Sequence, residues 1–167
     1  MRIRKPLGLL LLTLLPALTA ATARDEAPPF MAKTLTGETF TNDSLKGQLV
    51  LLQFWTTCCP YCRRDQPVLD KISREFSGEG LVVLAVNVEE SRQTVKTYLE
   101  KHPRLCNVVL TKDTNLVGAF RLNGVPSYVL IDRDGNIAGI DGASQITEQA
   151  RSNERSLNIA TRVSIRF

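Results

Sequence analysis

Apolar residues in this chain fall into short runs separated by polar stretches rich in glycine and proline. LVLLQFW (49–55) is a continuous apolar run of strand length, the pattern of a strand covered on both faces. After it, Val68, Leu69, Ile72 and Phe76 recur at helical spacing, and Gly78 and Gly80 stop the helix. LVVLAVNV (81–88) reads as a second buried strand, and SRQTVKTYLEKH (91–102) as a helix capped by Ser91 with Val95, Tyr98 and Leu99 on one face. NVVL (107–110) predicts a short strand and TNLVGAF (114–120) a short helix. SYVLIDRDGNIAGI (127–140) predicts two strands joined at Asp134-Gly135, a dipeptide suited to a tight hairpin turn. Upstream, APPF (27–30) is extended, and AKTLTGETFTNDSLKGQ (32–48) alternates around Gly37 like a hairpin running into a loop. Strands alternating with helices, closed by a hairpin, predict an α/β fold: a central mixed sheet flanked by helices.

The first residues do not belong to that pattern. Arg2, Arg4 and Lys5 precede an apolar run from Leu7 to Ala20, and Ala21-Thr22-Ala23 then leads into Arg24-Asp25-Glu26. This is the layout of a signal peptide over 1–23, cleaved after Ala23. The run is short of the roughly 20 apolar residues that span a bilayer, and Pro16 interrupts it. Cleavage places the protein in the periplasm or otherwise outside the cytoplasm. It leaves 144 residues: a domain over 24–143 and a C-terminal helix or tail over 144–167. The net charge of +4 shrinks as well, since removing the three leader cations leaves 18 Lys+Arg against 17 Asp+Glu, or +1. Composition therefore gives no electrostatic support to nucleic-acid binding, and a monomer is expected.

Export changes the meaning of WTTCCPYCRRDQP (55–67), which holds three of the four cysteines. Three pairings are open: Cys58 with Cys59, Cys58 with Cys62, and Cys59 with Cys62. The segment sits where a buried strand gives way to a helix, with Pro60 suited to the first helical turn. A sulfur there faces unpaired backbone N–H groups and the positive end of the helix dipole, both of which favour thiolate. Cys59 has that position. A free thiol with a pKa near 8.5 is only a few per cent ionised at pH 7, whereas a pKa of about 7 gives roughly half thiolate. Cys62, one turn later, is placed to attack a mixed disulfide formed at Cys59. Adjacent Cys58 and Cys59 close only a strained ring. A purely structural Cys59–Cys62 bridge closes a tiny loop and gains little from loop-closure entropy, so redox chemistry is the favoured reading.

GQLVLLQFWTTCCPYCRRDQPVL and LNGVPSYVLIDRDGNIAG resemble the TlpA/ResA-like branch of the thioredoxin superfamily, exported thiol-disulfide oxidoreductases. The resemblance extends at lower specificity from about Ala27 to Gly142. It implies a thioredoxin-like fold, a redox-active Cys59–Cys62 disulfide in place of a prosthetic group, and no metal. Cys59 resembles the exposed nucleophile and Cys62 the resolving thiol, with Pro60 and Tyr61 between them and Trp55 closing the preceding strand. Pro126 resembles the cis-proline facing the pair; X–Pro bonds give up only about 0.5–1 kcal/mol in that form. Asp65 falls where this branch often has a glutamate that modulates thiol acidity, or else it is an exposed first-turn acid. Gln53 occupies the buried position of an aspartate that relays protons in thioredoxins proper, a role an amide cannot fill. Cys58 stands where the branch usually has tryptophan. The implied partners are thiols and disulfides of other exported proteins, with apocytochrome c or a copper-site protein as candidates, and a membrane electron donor if the protein is reducing.

A rival reading takes Cys58 and Cys62, whose spacing resembles the copper motif of Sco-like metallochaperones; soft thiolates suit Cu(I). Such a site also needs a histidine, and the only one is His102 in LEKHPR, which reads otherwise as a surface residue at a helix end. Cys106 reads as a small buried apolar residue, and Arg63 and Arg64 as solvated helix residues.

Overall fold

The structure is a computed structural model and describes residues 25–142. The leader expected over 1–23 and the helix or tail expected over 144–167 lie outside the described residues. Seven strands form one mixed sheet: β1 (Met31–Thr34), β2 (Thr39–Thr41), β3 (Leu49–Trp55), β4 (Leu81–Asn87), β5 (Asn107–Thr114), β6 (Ser127–Ile131) and β7 (Ile137–Gly142). Their order across the sheet is β2-β1-β5-β4-β3-β6-β7. β3, β4 and β5 run parallel, and β1, β2, β6 and β7 join antiparallel. Among the described residues three α-helices, α1 (Pro60–Phe76), α2 (Arg92–Lys101) and α3 (Leu116–Phe120), accompany the sheet.

The apolar run of β3 is explained by its neighbours, since β4 and β6 flank it and both of its faces are covered. Val50, Leu52 and Phe54 point to one side, where they pack with Ala27, Phe30, Leu84, Val86, Val109, Leu116 and Val129. Leu51 and Trp55 point to the other, against the residues of α1 and α2. The two-residue alternation of a strand thus divides one run between two cores.

Local chemistry sets the boundaries. Ser91 Oγ accepts the Thr94 N–H at 3.0 Å and caps α2. α1 ends in a 3-10 turn over Ser77–Glu79, and Gly80 takes φ +80°, a left-handed conformation that favours glycine. In the β6–β7 turn Gly135 takes φ +88°, and Asp132 Oδ1 accepts the N–H groups of Asp134 and Asn136 at 3.0 and 2.9 Å.

The strand expected over 107–110 is longer than its apolar core, because β5 runs on to Thr114. Its first half pairs with β4, while Val109 and Thr114 sit opposite Thr34 and Ala32 of β1, with a shift of register between them. The polar tail TKDT is strand because β1 supplies hydrogen bonds, not because it buries a face. The segment before β1 is also pinned at a distance: Ala27 N–H donates to Gly135 O at 2.9 Å, Ile137 N–H to Asp25 O at 2.7 Å, and Glu26 bridges Asn136.

Candidate active site

The centre of the sheet delivers the site. β3 ends at Trp55, and three residues later the chain enters α1 with Cys59 as N-cap in an extended conformation and Pro60 as the first helical residue. Pro60 has no N–H to lose there. The backbone N–H of Cys62 donates to Cys59 Sγ at 3.1 Å. Cys59 and Cys62 form a disulfide with Cα atoms 5.3 Å apart. An N-terminal N–H aimed at Cys59 sulfur, on top of the helix dipole, is an arrangement that stabilises negative charge on that sulfur.

In this oxidised state Cys59 is not exposed, contrary to the expectation for it: its residue accessibility is 8%, and that of Cys62 is 3%. The cover is the loop before β6. Cys59 Sγ lies 3.8 Å from the Val125 carbonyl oxygen, and the Val125–Pro126 peptide is cis. The exposed cysteine is Cys58, which is free and has its Sγ 3.5 Å from Thr56 Oγ1. Tyr61 is also exposed, and the Arg64 guanidinium carbon lies 5.2 Å from its ring centroid.

Asp65 is not a solvated first-turn acid. Its Oδ2 accepts the Tyr128 O–H at 2.9 Å, and its Oδ1 accepts Arg64 Nε–H at 3.2 Å. Gln53 is fully buried; its Nε2 donates to Tyr128 Oη at 3.4 Å, and its Oε1 accepts from Arg104 Nη2 at 2.6 Å. Trp55 is buried against Cys59 and Cys62, 5.6 Å from the Tyr98 ring. Glu90, in the β4–α2 loop, holds the approach to the cysteines: its carboxylate accepts Thr57 N–H at 2.8 Å, Thr57 O–H at 2.5 Å and Asn87 Nδ2–H at 2.6 Å.

Arg104, Tyr128 and Glu90 were not singled out by the sequence. The one sequence signal for two of them is Gln53, since a polar side chain inside a buried strand demands partners, but it does not say which.

The proposed copper ligands do not converge. Cys58 is exposed and Cys62 is buried in the disulfide, while His102 stacks on Tyr98 at the end of α2, ring centroids 4.6 Å apart. Among the described residues no group of three or more His, Cys, Asp or Glu is arranged to hold a metal ion. Cys106 is half-buried, and burial pushes its thiol pKa up; it packs beside the clusters of Trp55 and Leu69. Arg63 and Arg64 are exposed on α1.

Burial, and after it the bond to Asp65, push the Tyr128 hydroxyl well above the ordinary tyrosine value, overcoming the opposing effect of the Gln53 amide. The folded state therefore favours neutral Tyr128. That contribution is complete below the unfolded tyrosine pKa of about 10 and is lost as pH rises beyond it. Urea midpoints should fall above about pH 10, and less steeply in Tyr128→Phe; an identical slope in the variant would refute the assignment.

The family model described as AhpC/TSA family matches residues 23–140. The thiol-disulfide oxidoreductase ResA of Halalkalibacterium halodurans is 31% identical over 129 residues, covering 77% of this chain and 73% of the relative. Among solved structures, a thioredoxin-family thiol:disulfide interchange protein of Chlorobium tepidum TLS is 27% identical, with a TM-score of 0.65 over 73% of this chain and 88% of that one. StoA of Bacillus subtilis is 25% identical, with a TM-score of 0.61 over 73% of this chain and 96% of that one.

Proposed function

Because the chain belongs to the AhpC/TSA family, and within it to the ResA-like thiol-disulfide oxidoreductases of thioredoxin fold, we propose that it exchanges disulfides with other exported proteins through Cys59 and Cys62. The observation that carries this is the N–H of Cys62 directed at Cys59 Sγ at the start of α1. Cys59 thiolate attacks a partner disulfide and forms a mixed disulfide. Cys62 then attacks Cys59 Sγ, and the partner leaves with both of its sulfurs reduced. One S–S bond breaks as another forms, and two electrons pass from enzyme to partner; run backwards, the same steps oxidise a partner dithiol. The electrons reside in the sulfur pair.

Cleavage after Ala23 would place this chemistry in the periplasm or an equivalent exported compartment. The haem-binding thiols of apocytochrome c are a suitable partner there, since they must be reduced before haem attachment. A membrane electron donor would then restore the dithiol. Recovery of the protein from the periplasm with Arg24 as its first residue, and reduction of oxidised apocytochrome c by its dithiol form, are the expected results. Cytoplasmic protein that retains Met1 would overturn export, and inertness toward the cytochrome would overturn that partner.

Cys58 stays outside the couple in this reading. Mass mapping of the oxidised protein should show Cys59 linked to Cys62 and Cys58 alkylated, and Cys58→Ala should leave the reduction potential unchanged. A dominant Cys58–Cys62 bridge would defeat the assignment.

A further inference from the structure

The partner of buried Gln53 is a cation. Arg104, in the loop between α2 and β5, bonds Gln53 Oε1 and lays its guanidinium over Trp55, with Cζ 4.7 Å from the ring centroid. A guanidinium only donates and stays protonated, so it fixes the direction of every bond beyond it. Gln53 must turn its carbonyl to Arg104 and its amide nitrogen to Tyr128, and Tyr128 must give its hydroxyl proton to Asp65. Trp55, which Arg104 covers, packs in one cluster with Cys59 and Cys62.

Among the described residues no carboxylate forms an ion pair with Arg104, and its buried Nε has no hydrogen-bond partner. The ionisable groups around this cluster are Tyr98 and His102 from α2, Glu90 before it, Cys106 after Arg104, Tyr128 from β6, and Arg63, Asp65 and Asp70 from α1. The charge of Arg104 favours the ionised forms of Tyr98, Cys106 and Tyr128. A partly desolvated cation without a counter-ion is costly, and the cost falls when an anion forms nearby. Reduction of the disulfide creates such an anion.

We propose that Arg104 is a positioning residue that stabilises the thiolate of the reduced Cys59–Cys62 pair, and so makes the protein a stronger oxidant than it would be with a neutral residue there. This rests on Cys59 and Cys62 being the redox couple. Two partner thiols reduce the disulfide: the Cys59–Cys62 bond breaks, a partner disulfide forms, and two electrons move to the protein. Of the two protons released, one stays on a cysteine sulfur and one goes to solvent. Arg104 acts on the charge left behind.

The test uses the full chain, chemically reduced, with thiolate followed by ultraviolet absorbance and the reduction equilibrium measured in glutathione buffers. Arg104→Met and Arg104→Gln should both raise the first thiolate midpoint by about one pH unit, the low end of the effect of an opposite charge, because Arg104 reaches the cysteines only across Trp55. Above that midpoint, the reduction equilibrium should shift about tenfold toward disulfide, or ~30 mV for a two-electron couple. Arg104→Gln keeps a donor at this position but not the charge, which separates the two, and Arg104→Lys should restore the wild-type midpoint. A folded Arg104→Gln protein with the wild-type midpoint and potential would overturn the proposal. Failure of the redox-pair reading looks different: the wild-type disulfide would resist every glutathione ratio, while the titration of reduced protein would still decide the role of Arg104.

Discussion

Cys59→Ser is expected to lose disulfide exchange completely, whereas Cys62→Ser should keep the first attack and accumulate as a mixed disulfide with its partner. The asymmetry follows from the start of α1. Cys59 is the N-cap and receives the Cys62 N–H, so charge on its sulfur is stabilised before any partner arrives. Serine at that position would hydrogen-bond the same N–H and cap the helix equally well, so the variant should fold. Its hydroxyl is a weak nucleophile without an adjacent base. Cys62 lies one turn on, in disulfide contact with Cys59, and its loss removes only the step that releases the partner. Non-reducing electrophoresis after mixing with a disulfide-bonded partner would show the adduct for Cys62→Ser and none for Cys59→Ser. Wild-type turnover in Cys59→Ser would sink the assignment, as would the adduct appearing with the roles exchanged.

Phe54→Ala should be among the most damaging of the single core truncations in β3. Phe54 is wholly buried beside the cysteine-bearing strand end, and its ring faces that of Phe120 from α3 at 6.3 Å between centroids. Phenylalanine-to-alanine changes in cores cost about 3–5 kcal/mol, a large share of the 5–15 kcal/mol that holds a typical domain together. At about 2–4 °C per kcal/mol, the range for domains near 150 residues, melting should fall by at least ~6 °C. Calorimetry of the oxidised protein would read this directly, and a shift of only a few degrees would mean that α3 closes over the gap. Phe54→Leu, which keeps most of the volume, should cost less than about 1.5 kcal/mol.

Much of this architecture could be read in advance because its signals were local. A continuous apolar run, a cysteine before proline, and Val68, Leu69, Ile72 and Phe76 at helical spacing suffice to place β3, the cysteines and α1 in order. Ser91 marked α2 in the same way. The polar half of β5 was illegible because its strand character comes from β1, far away in sequence. The surroundings of Gln53 were illegible for the same reason: Arg104, Tyr128 and Asp65 come from three different elements and meet only in the folded chain. Asp65 reads two ways in the sequence, and what separates them is the hydrogen bond it accepts from Tyr128. Burial of Cys59 depends on the Val125 carbonyl, which no spacing rule near residue 59 encodes.

The strand-like attachment of residues 25–27 to the β6–β7 turn also orders events in time. Those residues are synthesised well before the turn, and Ala27 and Asp25 find their partners only when Gly135 and Ile137 exist. Closing so long a loop is entropically expensive and slow relative to local contacts. A chain extended only as far as β6 would therefore contain its central strands while residues 25–27 remain unattached. A chain cut after Ile131 would lose β7 and, with it, the anchorage of residues 25–27.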